Sequence, residues 1–169
     1  YTHIPKCGGT SFRKFINDCS LASDIAKEHI YIPGFNGIDN NKNIPELNKE
    51  ELKQLQQKKL TVVANHAKFN VHKEYHLNVG KPFYFTILRD PVKRFISHYN
   101  FFYFQLGYDD CKGQSLDDLE PEKRERIINH LSNVQLQFLA DIRHPKIVGE
   151  DNMLRLAKSN LLLEYDCYG

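Results

Sequence analysis

The chain has 169 residues, 41% of them hydrophobic, enough for one domain with a proper core and too few to suggest two. Lys and Arg number 23 against 21 Asp and Glu, a net charge of +2, and no basic run is interleaved with aromatics; a nucleic-acid partner is therefore not expected. The four cysteines, Cys7, Cys19, Cys111 and Cys167, form no C-x-x-C pair, so neither a zinc site nor a redox motif is indicated, and no stretch approaches the roughly 20 apolar residues of a membrane span.

In chain order, Tyr1 to Ile4 read as the tail of a strand. Phe12, Phe15, Ile16 and Cys19 then repeat at i, i+3, i+4, i+7, the apolar face of a helix. The stretch "YIPGFNGIDNNKNIPE" (31–46) is rich in Gly, Asn and Pro and predicts a long surface loop, followed by a polar helix carrying Leu47, Leu52 and Leu55. Two short runs, "LTVVANH" (60–66) and "PFYFTIL" (82–88), are continuous in apolar residues and suit strands covered on both faces. Asp90 is an N-cap with Pro91 at the first helical position, and Val92, Phe95, Ile96, Tyr99, Phe102 and Tyr103 trace an apolar face that makes this helix a core element. Helices near 121–140 and 150–160 precede a strand-like end, "LLLEYDCYG". The order predicts an α/β fold, a mainly parallel central sheet flanked by helices, in a single domain over 1–169. Because the chain starts inside an apparent strand and stops in another, further segments are expected beyond both ends.

Three stretches fall at the carboxyl ends of predicted strands, where α/β proteins bind ligands. In "PKCGGTS" (5–11), a strand-to-helix turn aims free N–H groups and the positive helix end at one spot, a place for phosphate or sulfate, with Gly8 and Gly9 letting the anion approach. Lys6 precedes the glycines, so the G-x-x-x-x-G-K-[ST] pattern of nucleoside triphosphatases fails, and a plain tight turn with a solvated lysine is the other reading. Cys7 is either a small loop residue or a thiol made acidic by the helix end. In "LRDPVKRFIS" (88–97), the Arg89 fork and the Ser97 hydroxyl can cradle a second phosphate, unless Arg89 pairs with a carboxylate and Ser97 is a surface serine; Lys93 and Arg94 read as solvated or salt-bridged. The run 101–104 could stack an adenine but fits core packing better. His66 ends the third stretch and reads, by itself, as a structural histidine.

The pair "HIPKCGGTSF" and "LRDPVKRFISHY" resembles the carbohydrate sulfotransferases of the heparan sulfate 2-O- and 6-O- type and their microbial relatives; "NHAKF" and "NVQLQFLAD" agree with two further family stretches. The resemblance implies a P-loop-like nucleotide-binding fold and transfer of a sulfonate from 3′-phosphoadenosine 5′-phosphosulfate (PAPS) to a sugar or polysaccharide hydroxyl, without a metal. It implies Lys6, Cys7, Gly8, Gly9, Thr10 and Ser11 around the 5′-phosphosulfate, Arg89 and Ser97 on the 3′-phosphate, and His66 as general base. Cys7 stands where the family has threonine. Asn133 and Gln135, in "SNVQLQF", are acceptor-side candidates or a polar helix face. A PAPS- or glycan-binding module without catalysis, and a nucleotide kinase with an aberrant loop, are the rival readings. The absence of disulfide spacing leans toward a cytoplasmic enzyme over a Golgi lumenal one.

Overall fold

The structure, a computed structural model, describes residues 1–22, 29–32, 42–142 and 148–169. Its elements are α1 (Gly9–Ala22), β1 (Ile30–Tyr31), α2 (Lys49–Gln56), β2 (Val62–Val63), α3 (Val71–Glu74), β3 (Phe85–Thr86), α4 (Pro91–His98), α5 (Pro121–Leu131), α6 (Val134–Leu139), α7 (Glu150–Leu163) and β4 (Cys167–Tyr168). A π-helix, Tyr99–Gln105, continues α4.

Every strand pairing described is parallel, as the sequence predicts, but among the described residues one continuous central sheet is not formed. β1 pairs with β2 and β3 with β4, as two two-stranded sheets. Thr2 stands between them, bridged to Asn65 on one side and to Thr86 on the other. The reason is local. Thr2 donates its N–H to Phe85 O and His3 to Asn65 O, but the Ile4 N–H turns back to Thr2 O, and Pro5 has no N–H to give a ladder. Buried side chains reinforce the junction: the Thr86 hydroxyl donates to Thr2 O (2.9 Å) and the Tyr165 hydroxyl to Thr2 Oγ1 (2.7 Å).

Successive strand residues point to opposite sides. Ile30 packs with Phe12 and Ala64, under α1, while Tyr31 packs with Ile44, Leu55, Leu60 and Leu77. A third cluster joins Ile4, Cys7 and Phe69 to Val134, Leu139, Met153 and Ala157 of α6 and α7. Anchoring the turn after Ile4 in that core is what fixes the head of α1.

Several expectations change. Of the predicted α1 face only Phe12 is buried and Ile16 half-buried; Phe15 and Cys19 are exposed, and Ser20 is buried in their place. Val92 and Ile96 are exposed on α4, whereas Arg94 is buried. Tyr31 and Ile32, placed in the loop by their Gly- and Pro-rich neighbours, belong to or follow a buried strand. Of that predicted loop, 33–41 lie outside the described residues. Leu161–Leu163 end α7 rather than begin a strand, and Leu162 and Leu163 are exposed. Val62 and Val63 are only half-buried, so β2 is not fully covered.

Candidate functional site

Lys6 takes φ 67° and Gly8 φ 84° in the turn between Ile4 and α1. Such left-handed angles are uncommon without glycine and mark a tightly determined turn. Cys7, between them, points inward: it is 2% exposed, with Sγ 3.4 Å from Gln135 Oε1, and burial raises its thiol pKa against the opposing pull of Arg94 and Arg89. An acidic, reactive thiol is thus not what the geometry provides. The expectation that both glycines clear a path for an anion is also modified. At Gly9 a Cβ would lie 1.5 Å from His3 Nε2, so the missing side chain makes room for an imidazole; at Gly8 a Cβ would meet only Ile87 Cδ1 at 3.8 Å, and the positive φ is what calls for glycine. Thr10 and Ser11 are exposed on the first turn of α1, where N–H groups lack helical partners.

Arg89 reaches this turn from the end of β3, Nη1 donating to Lys6 O at 3.1 Å. Lys6, Arg89 and Ser97 line one open hollow of about 400 Å³, with Lys93, Asn100 and Phe101. The lining contains three cationic side chains and no carboxylate, a combination that attracts anions. Lys6 Nζ sits 4.0 Å from the Phe101 ring centroid, and partial desolvation, then the Arg89 charge, lower its pKa. Asp90 caps α4 by accepting the Lys93 N–H at 2.8 Å, as the sequence predicts, which sets Ser97 two turns further along. Lys93, set aside in the sequence as solvated, joins the hollow because this cap fixes where its turn begins.

Gln135 holds the Cys7 turn and the Arg89 segment together. Its side chain accepts from Arg89 N (2.9 Å) and donates to Arg89 O (2.8 Å), while Oε1 also faces Cys7 Sγ. Asn133 donates to Glu150 Oε1 at 2.9 Å, tying α6 to α7. Both amides are therefore engaged within the chain. We expect Gln135→Ala to weaken binding of an anion such as pyrophosphate to the hollow about tenfold, since hydrogen bonds of this kind contribute about 0.5–1.5 kcal/mol each. Titration calorimetry checks this, and unchanged affinity would mean that Arg89 keeps its place without the clamp.

His66 does not line the hollow; it stands at the head of α1 through His3. The two imidazoles stack with centroids 3.9 Å apart, and His66 Nδ1 lies 2.8 Å from His3 O. A carbonyl only accepts, so Nδ1 carries the proton and Nε2 of the neutral ring is free to take one. Asn43 Oδ1 accepts the His66 N–H at 3.2 Å. Desolvation lowers the His66 pKa, opposed by the bond to His3 O, although the residue keeps solvent contact. Burial, then the neighbouring His66 and Arg13, lowers the His3 pKa to about 3.

Arg94, read from the sequence as solvated or salt-bridged, is 2% exposed. It donates to Leu131 O and, at 3.0 Å, to His98 Nδ1. Burial, then the Arg94 guanidinium and the nearby His130, Lys6 and His66, hold the His98 pKa down to about 4, so His98 is neutral near pH 7. His3 and Arg94 lie inside the two motif stretches but were given no role from the sequence, since each acts through a contact made far along the chain, with His66 and with Leu131 O.

A carboxylate-free cationic hollow beside a helix head, at the ends of parallel strands, is a place where an anionic ligand fits. The family model for the sulfotransferase family matches residues 1–159, and the chain belongs to that family. Its activity is thus sulfonate transfer to an acceptor. No curated protein matches the chain. Among the described residues no helix is long and apolar enough to cross a membrane, and no group of three or more His, Cys, Asp or Glu side chains could hold a metal.

Proposed function

We propose that the protein transfers the sulfonate of PAPS to a carbohydrate hydroxyl, with His66 as general base. The observation carrying this reading is the convergence of Lys6, Arg89 and Ser97, from two segments about 80 residues apart, on one hollow without carboxylates. An anion with phosphates at two positions fits that hollow and the adjoining helix head. PAPS, when bound, supplies the sulfonate and leaves as adenosine 3′,5′-bisphosphate.

Arg89 and Ser97 hold the 3′-phosphate, a fork and a hydroxyl being suited to it. Lys6, the exposed hydroxyls of Thr10 and Ser11 and the free N–H groups around Gly8 and Gly9 hold the 5′ end, in a P-loop-like turn. Lys6 also stabilises negative charge growing on the leaving phosphate oxygen. His66 Nε2 takes the acceptor proton as the hydroxyl oxygen bonds to sulfur in line with the departing oxygen. The chain works as one domain, and the chemistry uses no metal.

The test is turnover of PAPS followed across pH with a panel of sugar acceptors. His66 is active when unprotonated and its pKa is lowered, so kcat/KM should stay level down to about 6.5 and fall only at lower pH. A rate that instead rises as the pH falls through this range would remove a neutral histidine base.

A further inference from the structure

Along extended backbone, residues two apart share a side, and Tyr1 and His3, either side of Thr2 between the two sheets, present their rings together. The rings form a column. Tyr1 stacks on Phe85 of β3 at 4.7 Å between centroids and on His3 at 5.6 Å, and His3 stacks on His66 at 3.9 Å, with the planes 18° to 27° apart. Phe85, Tyr1 and His3 are half-buried, and His66 is the exposed ring at the top.

The two imidazoles are not equivalent. His3 turns Nε2 into the space that Gly9 leaves by having no side chain, 1.5 Å from where a Cβ would stand. Its pKa of about 3, lowered first by burial, makes it too weak a base to compete for a proton. A proton taken up by His66 therefore stays there, and its charge lies against the face of a neutral ring, which is a favourable arrangement.

His3 also holds His66 by two contacts of different kinds. Its carbonyl fixes the proton on Nδ1 at 2.8 Å, while its ring covers one face of His66 and keeps water from it. The titratable groups around His66 are His3 itself, Arg13 of α1, Glu46 just before α2 and His98 of α4. Arg13 lowers the His66 pKa and Glu46 raises it, so burial, the largest influence, decides the direction.

We propose that His3 is a positioning residue for the transfer reaction, its ring being the platform that holds the His66 imidazole in one orientation with Nε2 free. The proposal rests on the general-base reading of His66 and deepens it.

The test uses the intact chain, first by proton NMR. The His66 Cε1–H resonance, assigned by its loss in His66→Gln, should lie upfield of a free imidazole because of the ring beneath it, and should titrate below about 6.5. His3→Ala removes the platform but leaves the carbonyl in place. Its kcat should fall about 10–100-fold, the usual cost of a misplaced reacting group, with the Kd for adenosine 3′,5′-bisphosphate unchanged. Water then reaches the uncovered face, so the His66 pKa should rise by about half a unit, and the acid limb of kcat/KM should move to higher pH with it. His3→Phe keeps a ring face and should recover most of kcat and the low pKa; should it not fold, the wild-type and His3→Ala results decide alone. A His66 resonance without the upfield shift, a His3→Ala protein with full kcat, one whose kcat falls while the His66 pKa stays put, or a folded His3→Phe as impaired as His3→Ala would overturn the proposal and leave His66 as base. Full turnover by His66→Ala would overturn the general-base reading and the proposal with it.

Discussion

His66→Ala should lower kcat about 10²–10⁴-fold, the usual contribution of a positioned general base, while the Kd for adenosine 3′,5′-bisphosphate stays the same. The split follows from geometry. His66 lies outside the hollow formed by Lys6, Arg89 and Ser97, and its ring is held by His3 O at Nδ1 with Nε2 left free. Single-turnover rates with PAPS, beside calorimetry with the bisphosphate, separate the two quantities. An alanine variant that keeps full turnover would take His66 out of the chemistry; one that loses bisphosphate binding would make it a structural histidine.

Gly9→Ala should be almost as damaging, through a different route. A methyl group there would fall 1.5 Å from His3 Nε2, so the His3 ring must leave. That ring stacks on His66 at 3.9 Å. Overpacking of this kind costs about 1–3 kcal/mol, which for a chain of this size lowers the thermal midpoint by roughly 2–12 °C. The displaced His66 should also lose turnover beyond what the stability change explains. Thermal unfolding and kcat on the same preparation distinguish the parts. Gly8→Ala is the informative contrast, since space is ample at Gly8 and only the φ of 84° resists a side chain. A Gly9→Ala protein with normal turnover would show that the His3–His66 stack has no bearing on catalysis.

The turn and the helix start that carry the candidate site were more legible in the sequence than the sheet behind them. The two segments of the candidate site declare themselves locally: Gly8 by its turn, Asp90 and Pro91 by capping, Arg89 by standing where a strand gives way to a helix. The helix with the strong start signal, α4, begins where the sequence puts it, whereas the helix expected near 121–140 is split into α5 and α6 at Ser132–Asn133. The sheet was not legible, because its strands pair over two residues and Thr2 reaches both neighbours by single bridges, which no local pattern encodes. The helix faces misled for a related reason. Val92 and Ile96 repeat with Phe95 and Tyr99, yet α4 turns Arg94 inward because Leu131 O and His98 await it. The sequence offers Gln135 as an acceptor-side candidate or a polar helix-face residue and gives no sign of the clamp, since its partners lie 46 and 128 residues away.

The central claim, a bisphosphate-binding site built from Lys6, Arg89 and Ser97, is tested most directly by thermal unfolding. The ligands are adenosine 3′,5′-bisphosphate, 5′-AMP and ATP at equal concentration, with and without Mg²⁺. A ligand at 100 times its Kd stabilises by about 2.7 kcal/mol, a shift of roughly 5–11 °C for a chain of this size. The account predicts such a shift with the bisphosphate alone, independent of Mg²⁺ and lost in Arg89→Ala. A shift with ATP that needs Mg²⁺, and none particular to the bisphosphate, would mean that the turn holds a triphosphate and that the account is wrong.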